Sequence, residues 1–122
     1  MSYKKIIPYI NAENELPDRV LKLAREYSYN GADGLYVYNY SKDEKSREEF
    51  FSLMKALIKE IDIPVIIGTY AKKLEDVKLA LYTGASNVMI KYGMLEDKKL
   101  LNEAVKRFGP EKIMVELDVM EC

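Results

Sequence analysis

The chain has 122 residues, which suits one domain with one modest core. Nineteen basic and twenty acidic residues leave a formal net charge of −1, which argues against the basic stripe of a nucleic-acid binder. There is no histidine, so the commonest metal ligand and general base is missing, and a lone cysteine, Cys122, excludes a disulfide within one chain. No cofactor is expected, and carboxylates alone would hold magnesium only weakly. No signal peptide or membrane span is visible, so the cytoplasm is the expected compartment and no membrane partner is expected.

The first strand reads Lys5 to Asn11, KIIPYIN. Pro8 cannot donate to a ladder, which points to an edge or an irregular strand. Pro17 and Asp18 mark a helix start, Val20, Ala24 and Tyr27 recur at helical spacing, and Gly31 closes that helix. The second strand, Gly34 to Tyr40, alternates Tyr36, Tyr38 and Tyr40 on one face with Leu35, Val37 and Asn39 on the other. Ser46 and Glu49 form a capping-box pattern at the expected start of the second helix. Phe50, Leu53, Met54, Leu57, Ile58 and Ile61 make its buried stripe.

Pro64 opens a third strand, PVIIGTY, apolar enough to be covered on both faces. A third helix is expected from about Leu74 to Thr83, with Val77, Ala80 and Leu81 inward and Gly84 as its stop. The fourth strand is NVMIKYG. The fourth helix starts near Asp97, packs through Leu101, Ala104, Val105 and Phe108, and ends at Gly109 and Pro110. The fifth strand is Lys112 to Asp118, and no fifth helix follows it within the 122 residues.

Four strand–helix units and a trailing strand imply a parallel sheet with right-handed crossovers. A closed (β/α)8 barrel needs roughly 250 residues. The expected fold is therefore α/β: the (βα)4 half of a TIM barrel with a fifth parallel strand, one half-barrel domain over residues 1–122. An open flavodoxin-like sheet is the alternative. A weak internal repeat, Tyr29-Asn30-Gly31-Ala32-Asp33 against Tyr82-Thr83-Gly84-Ala85-Ser86, recurs at a period of two units and favours the barrel.

KKIIPYINA at the first strand, NGADGLYVYNYS at the second, and the stretch from IDIPVIIGTYAKKLEDV to EKIMVELD carry a family likeness. The chain resembles the N-terminal half of the histidine-biosynthesis barrels: the cyclase subunit of imidazole glycerol phosphate synthase and its isomerase relative. The resemblance implies a site at the C-terminal ends of the strands. It implies catalytic carboxylates at the ends of the first and fifth strands. Asn11 stands where the first is expected, and an amide cannot exchange a proton at neutral pH. Asp118 matches the second. Asn39 stands where the second strand of the cyclase ends in an aspartate. The resemblance implies a phosphate site after the third and fourth strands, which falls here on Gly68, Thr69 and Lys91, beside Tyr70 and Tyr92. Lys91 would act there as a point charge.

Plainer roles exist for each of these. Asn11 suits a turn, Asp118 a solvated strand end, Lys91 an ordinary strand-end lysine, and Gly68 backbone geometry. Tyr36, Tyr38 and Tyr40 are the expected interface. In a half barrel their face is uncovered, and such patches mark contacts between molecules. Three functions follow, in decreasing order of expectation. The first is a non-catalytic assembly or dimerisation module, forming a homodimer, at the N-terminus of a longer histidine-pathway polypeptide. The second is a sugar-phosphate-binding domain with a residual anion site. The third is an active cyclase or isomerase half that rebuilds a barrel as a dimer.

Overall fold

The computed structural model describes residues 4–117. Strand and helix alternate as β1 (Tyr9–Asn11), α1 (Pro17–Tyr29), β2 (Leu35–Asn39), α2 (Glu44–Glu60), β3 (Val65–Thr69), α3 (Leu74–Thr83), β4 (Asn87–Lys91), α4 (Lys99–Phe108) and β5 (Ile113–Glu116). Short 3-10 turns occupy Tyr92–Met94 and Pro110–Lys112. All four strand pairings are parallel, and the order across the sheet is β1-β2-β3-β4-β5. Each strand is laid beside its predecessor, without the reversal that defines an open flavodoxin-like sheet. This is the progression of a (β/α)8 barrel taken halfway, with one strand more.

Local chemistry explains the boundaries. Pro17 needs no N–H partner at the first position of α1. Gly31, Gly84 and Gly109 adopt positive φ where helices turn out into the following strands. The second helix begins a half-turn earlier than its Ser46–Glu49 pattern suggests. Asp43 is its cap, and its carboxylate accepts from the Ser46 backbone N–H at 2.9 Å. β1 is shorter than expected, three residues instead of seven, because Pro8 removes a donor just before it.

One face of the sheet carries the core. Leu35, Val37, Val65, Ile67, Val88 and Ile90 point from the strands onto the helices. Val20, Ala24, Met54, Leu57, Val77 and Ala80 meet them from the other side. Each larger apolar side chain buried there contributes about 1.5–3 kcal/mol. The fourth helix packs mainly through Leu100 and Ala104, with Leu101, Val105 and Phe108 only partly buried. Val115 of β5 shares this side of the sheet but is exposed, because among the described residues no helix covers it. None of the described helices is long and apolar enough to cross a membrane.

Candidate functional site

The other face of the sheet has no second layer. Strand register sets its membership: Tyr9 lies beside Tyr36, Tyr38 beside Gly68, Gly68 beside Met89, and Lys91 beside Glu116. Neighbours in a parallel sheet point the same way, so these side chains form one surface. The tyrosines stack along it. Ring centroids are 5.0 Å apart for Tyr36 and Tyr38, 5.7 Å for Tyr38 and Tyr40, and 6.3 Å for Tyr9 and Tyr38. These separations suit tilted aromatic pairs.

The polar tips of the stack are tied together. The hydroxyls of Tyr36 and Tyr40 share a hydrogen bond of 2.6 Å. Tyr36 also donates to Glu116 Oε1 at 3.5 Å, and Tyr40 donates to the Met89 carbonyl at 3.4 Å. Lys91 Nζ lies 4.5 Å above the Tyr40 ring and 3.8 Å from Glu116 Oε2. Burial pushes the Tyr36 hydroxyl up to about 12, assisted by the Glu116 charge, although the bond to Tyr40 pulls the other way. Burial, then the bond to Tyr36, raises Tyr40 as well. Both stay neutral at any physiological pH. Together with Tyr9 and Tyr38, these groups border an open hollow of about 310 Å³.

Gly68 makes the stack possible. A Cβ placed there would lie 2.5 Å from Tyr40 Oη, 2.7 Å from Tyr38 Cβ and 2.8 Å from Tyr36 Cε1. The glycine floor is thus occupied by the tyrosines. Thr69, next in sequence, points through the sheet to the helix side and is 1% exposed. Its hydroxyl has no hydrogen-bond partner among the described residues. The gap between Thr69, Tyr70, Ile90 and Lys91 is too tight for a water molecule. Gly68 and Lys91 therefore share a face and Thr69 does not join them.

At the end of β1, Asn11 accepts the Glu13 backbone N–H on Oδ1 at 3.0 Å, an Asx-type turn. Glu13 in turn accepts the Tyr40 backbone N–H at 3.0 Å, which ties the loop after β1 to the end of β2. Asn39 is buried on the helix side. It donates to Ser46 Oγ at 3.2 Å and accepts from Ser41 N–H at 2.9 Å. Asp118 and Cys122 lie outside the described residues. Two participants were not singled out in the sequence. Tyr9 and Glu116 sit on the inner face, at positions that alternation along the first and fifth strands would have assigned there.

The profile of the family described as histidine biosynthesis protein matches residues 9–121. The chain belongs to this family. It is 28% identical to the imidazole glycerol phosphate synthase subunit HisF of Flavobacterium johnsoniae, across 99% of this chain and 53% of that protein. It is 31% identical to the subunit of the same name from Dictyoglomus turgidum, across 80% of this chain and 39% of that one. The chain thus spans about half the length, or less, of these curated relatives. Among solved structures, the dihydropteroate synthase of Yersinia pestis superposes with a TM-score of 0.66 at 16% identity, over 93% of this chain and 44% of that one. That likeness concerns the fold alone and fits a partial TIM barrel. The histidine-biosynthesis fold is therefore present here as a (βα)4 half with a fifth strand.

Proposed function

We propose that this chain is a non-catalytic assembly module of the histidine-biosynthesis family, and that its uncovered inner face pairs with the same face of a second copy. The observation that carries the reading is the tyrosine stack. A closed barrel fills its interior with layers of side chains from all around the ring. Here the layer is supplied from one side, and the far side is solvent. Tyr9 is 69% exposed, and Met114 and Leu117 are exposed beside it at the other end of the sheet. Stacked tyrosines with wet hydroxyls are suited to a contact that must be soluble when open and apolar when closed.

The charges on this face suit a two-fold partner. Lys91 and Glu116 stand side by side, so a symmetry mate can set a cation against an anion at both ends of an isologous contact. Size adds a further requirement. Five strands about 4.8 Å apart and five residues of about 3.3 Å project roughly 400 Å². A stable dimer buries about 800 Å² per partner. The edges must therefore contribute. Ile6 and Ile7 beside β1, and Val115 and Leu117 on β5, are exposed apolar groups at those edges.

Asn11 supports the non-catalytic part of the reading. Its amide holds a turn at the position where the family resemblance implies an acid/base carboxylate. In a longer histidine-pathway polypeptide the module would bring two such chains together.

Sedimentation equilibrium over a wide concentration range tests the proposal. The expected species has twice the 14.1 kDa mass of the chain. A single species of 14.1 kDa at the highest concentrations would sink it.

A further inference from the structure

A second hollow, of about 490 Å³, lies away from the tyrosine stack, where the loops after β2, β3 and β4 meet. Tyr70, 6% exposed, forms part of its wall. Lys42 Nζ is 5.1 Å and Arg47 Cζ 5.7 Å from the centre of the Tyr70 ring. Lys72 and Lys73 complete the basic rim. Gly68, Thr69 and Lys91, the positions that family resemblance implies for phosphate, are not among its wall residues.

The four cations are not equivalent. Arg47 donates to Asp76 Oδ1 at 2.9 Å, and both side chains are largely buried. Asp76 also accepts the backbone N–H groups of Lys72 and Lys73, at 2.9 and 3.1 Å. Burial opposes its charge, but these donors outweigh that and hold its carboxyl below the usual range. Asp76 thus consumes the amides that open α3, and it anchors Arg47 as a fixed post. Arg47 Nε remains buried with no partner among the described residues. Lys42, Lys72 and Lys73 form no ion pair among the described residues. Three uncommitted ammonium groups therefore surround a hollow built on a rigid aromatic and guanidinium floor.

The anion that fits is one that side chains can hold, since the helix amides are already used. A doubly charged phosphate answers three point charges better than a carboxylate does. The opposite wall carries Glu44 and Glu96, and Glu96 already accepts the Tyr70 hydroxyl at 3.0 Å. Carboxylates there would repel a second phosphate but accept from hydroxyl groups. We propose that this hollow binds the phosphate monoester of a small polyol, with the phosphate at Lys42, Lys72 and Lys73 and the hydroxyls toward Glu44 and Glu96. The site does not depend on the inner face, so it can stand or fall without the assembly reading.

The test is calorimetric titration of the full chain with glycerol phosphate, inorganic phosphate and sulfate at one fixed ionic strength. Saturable binding of glycerol phosphate, tighter than either inorganic ion, is expected. Each charge-assisted hydrogen bond is worth about 1.5–3 kcal/mol, so Lys42→Ala with Lys73→Ala should weaken binding roughly tenfold or more. Lys91→Ala should leave it unchanged, and Glu96→Gln should weaken glycerol phosphate but not inorganic phosphate. No saturable binding, an unaffected lysine double variant, or a loss on Lys91→Ala would overturn the site. Sulfate bound as tightly as glycerol phosphate would overturn the polyol assignment. Sedimentation of the same variants reports separately on the assembly, which these exposed rim residues should not alter.

Discussion

The two faces of this sheet are built from the same five strands and obey opposite rules. On the helix side, branched aliphatics such as Val37, Ile67 and Val88 are wholly buried and touch only apolar neighbours. On the inner side, the residues one step along each strand are Tyr36, Tyr38, Met89 and Lys91, all half-exposed. A parallel strand covered on both faces reads as a continuous apolar run, and β3 is such a strand. β2 alternates and is not. The difference teaches that the helix face stabilises the half barrel as a unit, whereas the inner face is fitted for a contact the unit lacks.

The sharpest way to separate the faces is to damage each in turn. Leu57→Ala removes a fully buried side chain from the helix side and should cost about 2–5 kcal/mol in urea unfolding. Tyr9→Ala, on the exposed end of the inner face, should leave the unfolding midpoint of dilute protein nearly unchanged and weaken self-association. A large loss of dilute-state stability from Tyr9→Ala would merge the two faces into one core and break the comparison.

Gly68→Ala comes next in size. Its Cβ would press on three tyrosines, one of them at Cβ, close to the backbone where it cannot swing away. Overpacking of this kind costs about 1–3 kcal/mol, readable in the same unfolding experiment. A neutral outcome would mean that the stack is loose. Thr69→Val probes the helix side at the same strand end. It deletes a buried hydroxyl that has no partner, so a gain of about 1 kcal/mol is expected. A loss would show that the hydroxyl is satisfied in solution.

The smallest effect is alkaline. Folding holds Tyr36 neutral up to about 12, against a usual value near 10 for a free tyrosine. The folded state then binds more protons than the unfolded state between these values. Its contribution is complete below pH about 10 and is lost as pH rises toward 12. Tyr36→Phe should flatten this alkaline limb of the stability curve. An unchanged limb would assign it to other groups.

Much of this architecture was legible in the sequence. The third helix was expected at Leu74 to Thr83 and has those bounds, because Gly84 and the Val77 and Ala80 spacing mark it locally. The tyrosine alternation read as one face for the same reason. The start of the second helix was misplaced because Asp43 and Ser46 are both good caps, and the hydrogen bond between them decides. Thr69 was grouped with Gly68 as a neighbour in sequence, although strand alternation sends adjacent side chains to opposite faces. The basic rim around Tyr70 was not legible. Lys42, Arg47 and Lys73 lie on different loops and helices and meet only once the units are stacked.

One measurement bears most directly on the inner face as an assembly surface. Sedimentation equilibrium should be run on the unmodified chain, on Tyr9→Lys, and on Tyr82→Lys as a control. Tyr82 is 77% exposed, but on α3, away from the inner face. The account predicts twice 14.1 kDa for the unmodified chain and the Tyr82 variant, and 14.1 kDa for the Tyr9 variant. A 14.1 kDa species in all three, or a dimer indifferent to Tyr9→Lys, would contradict it.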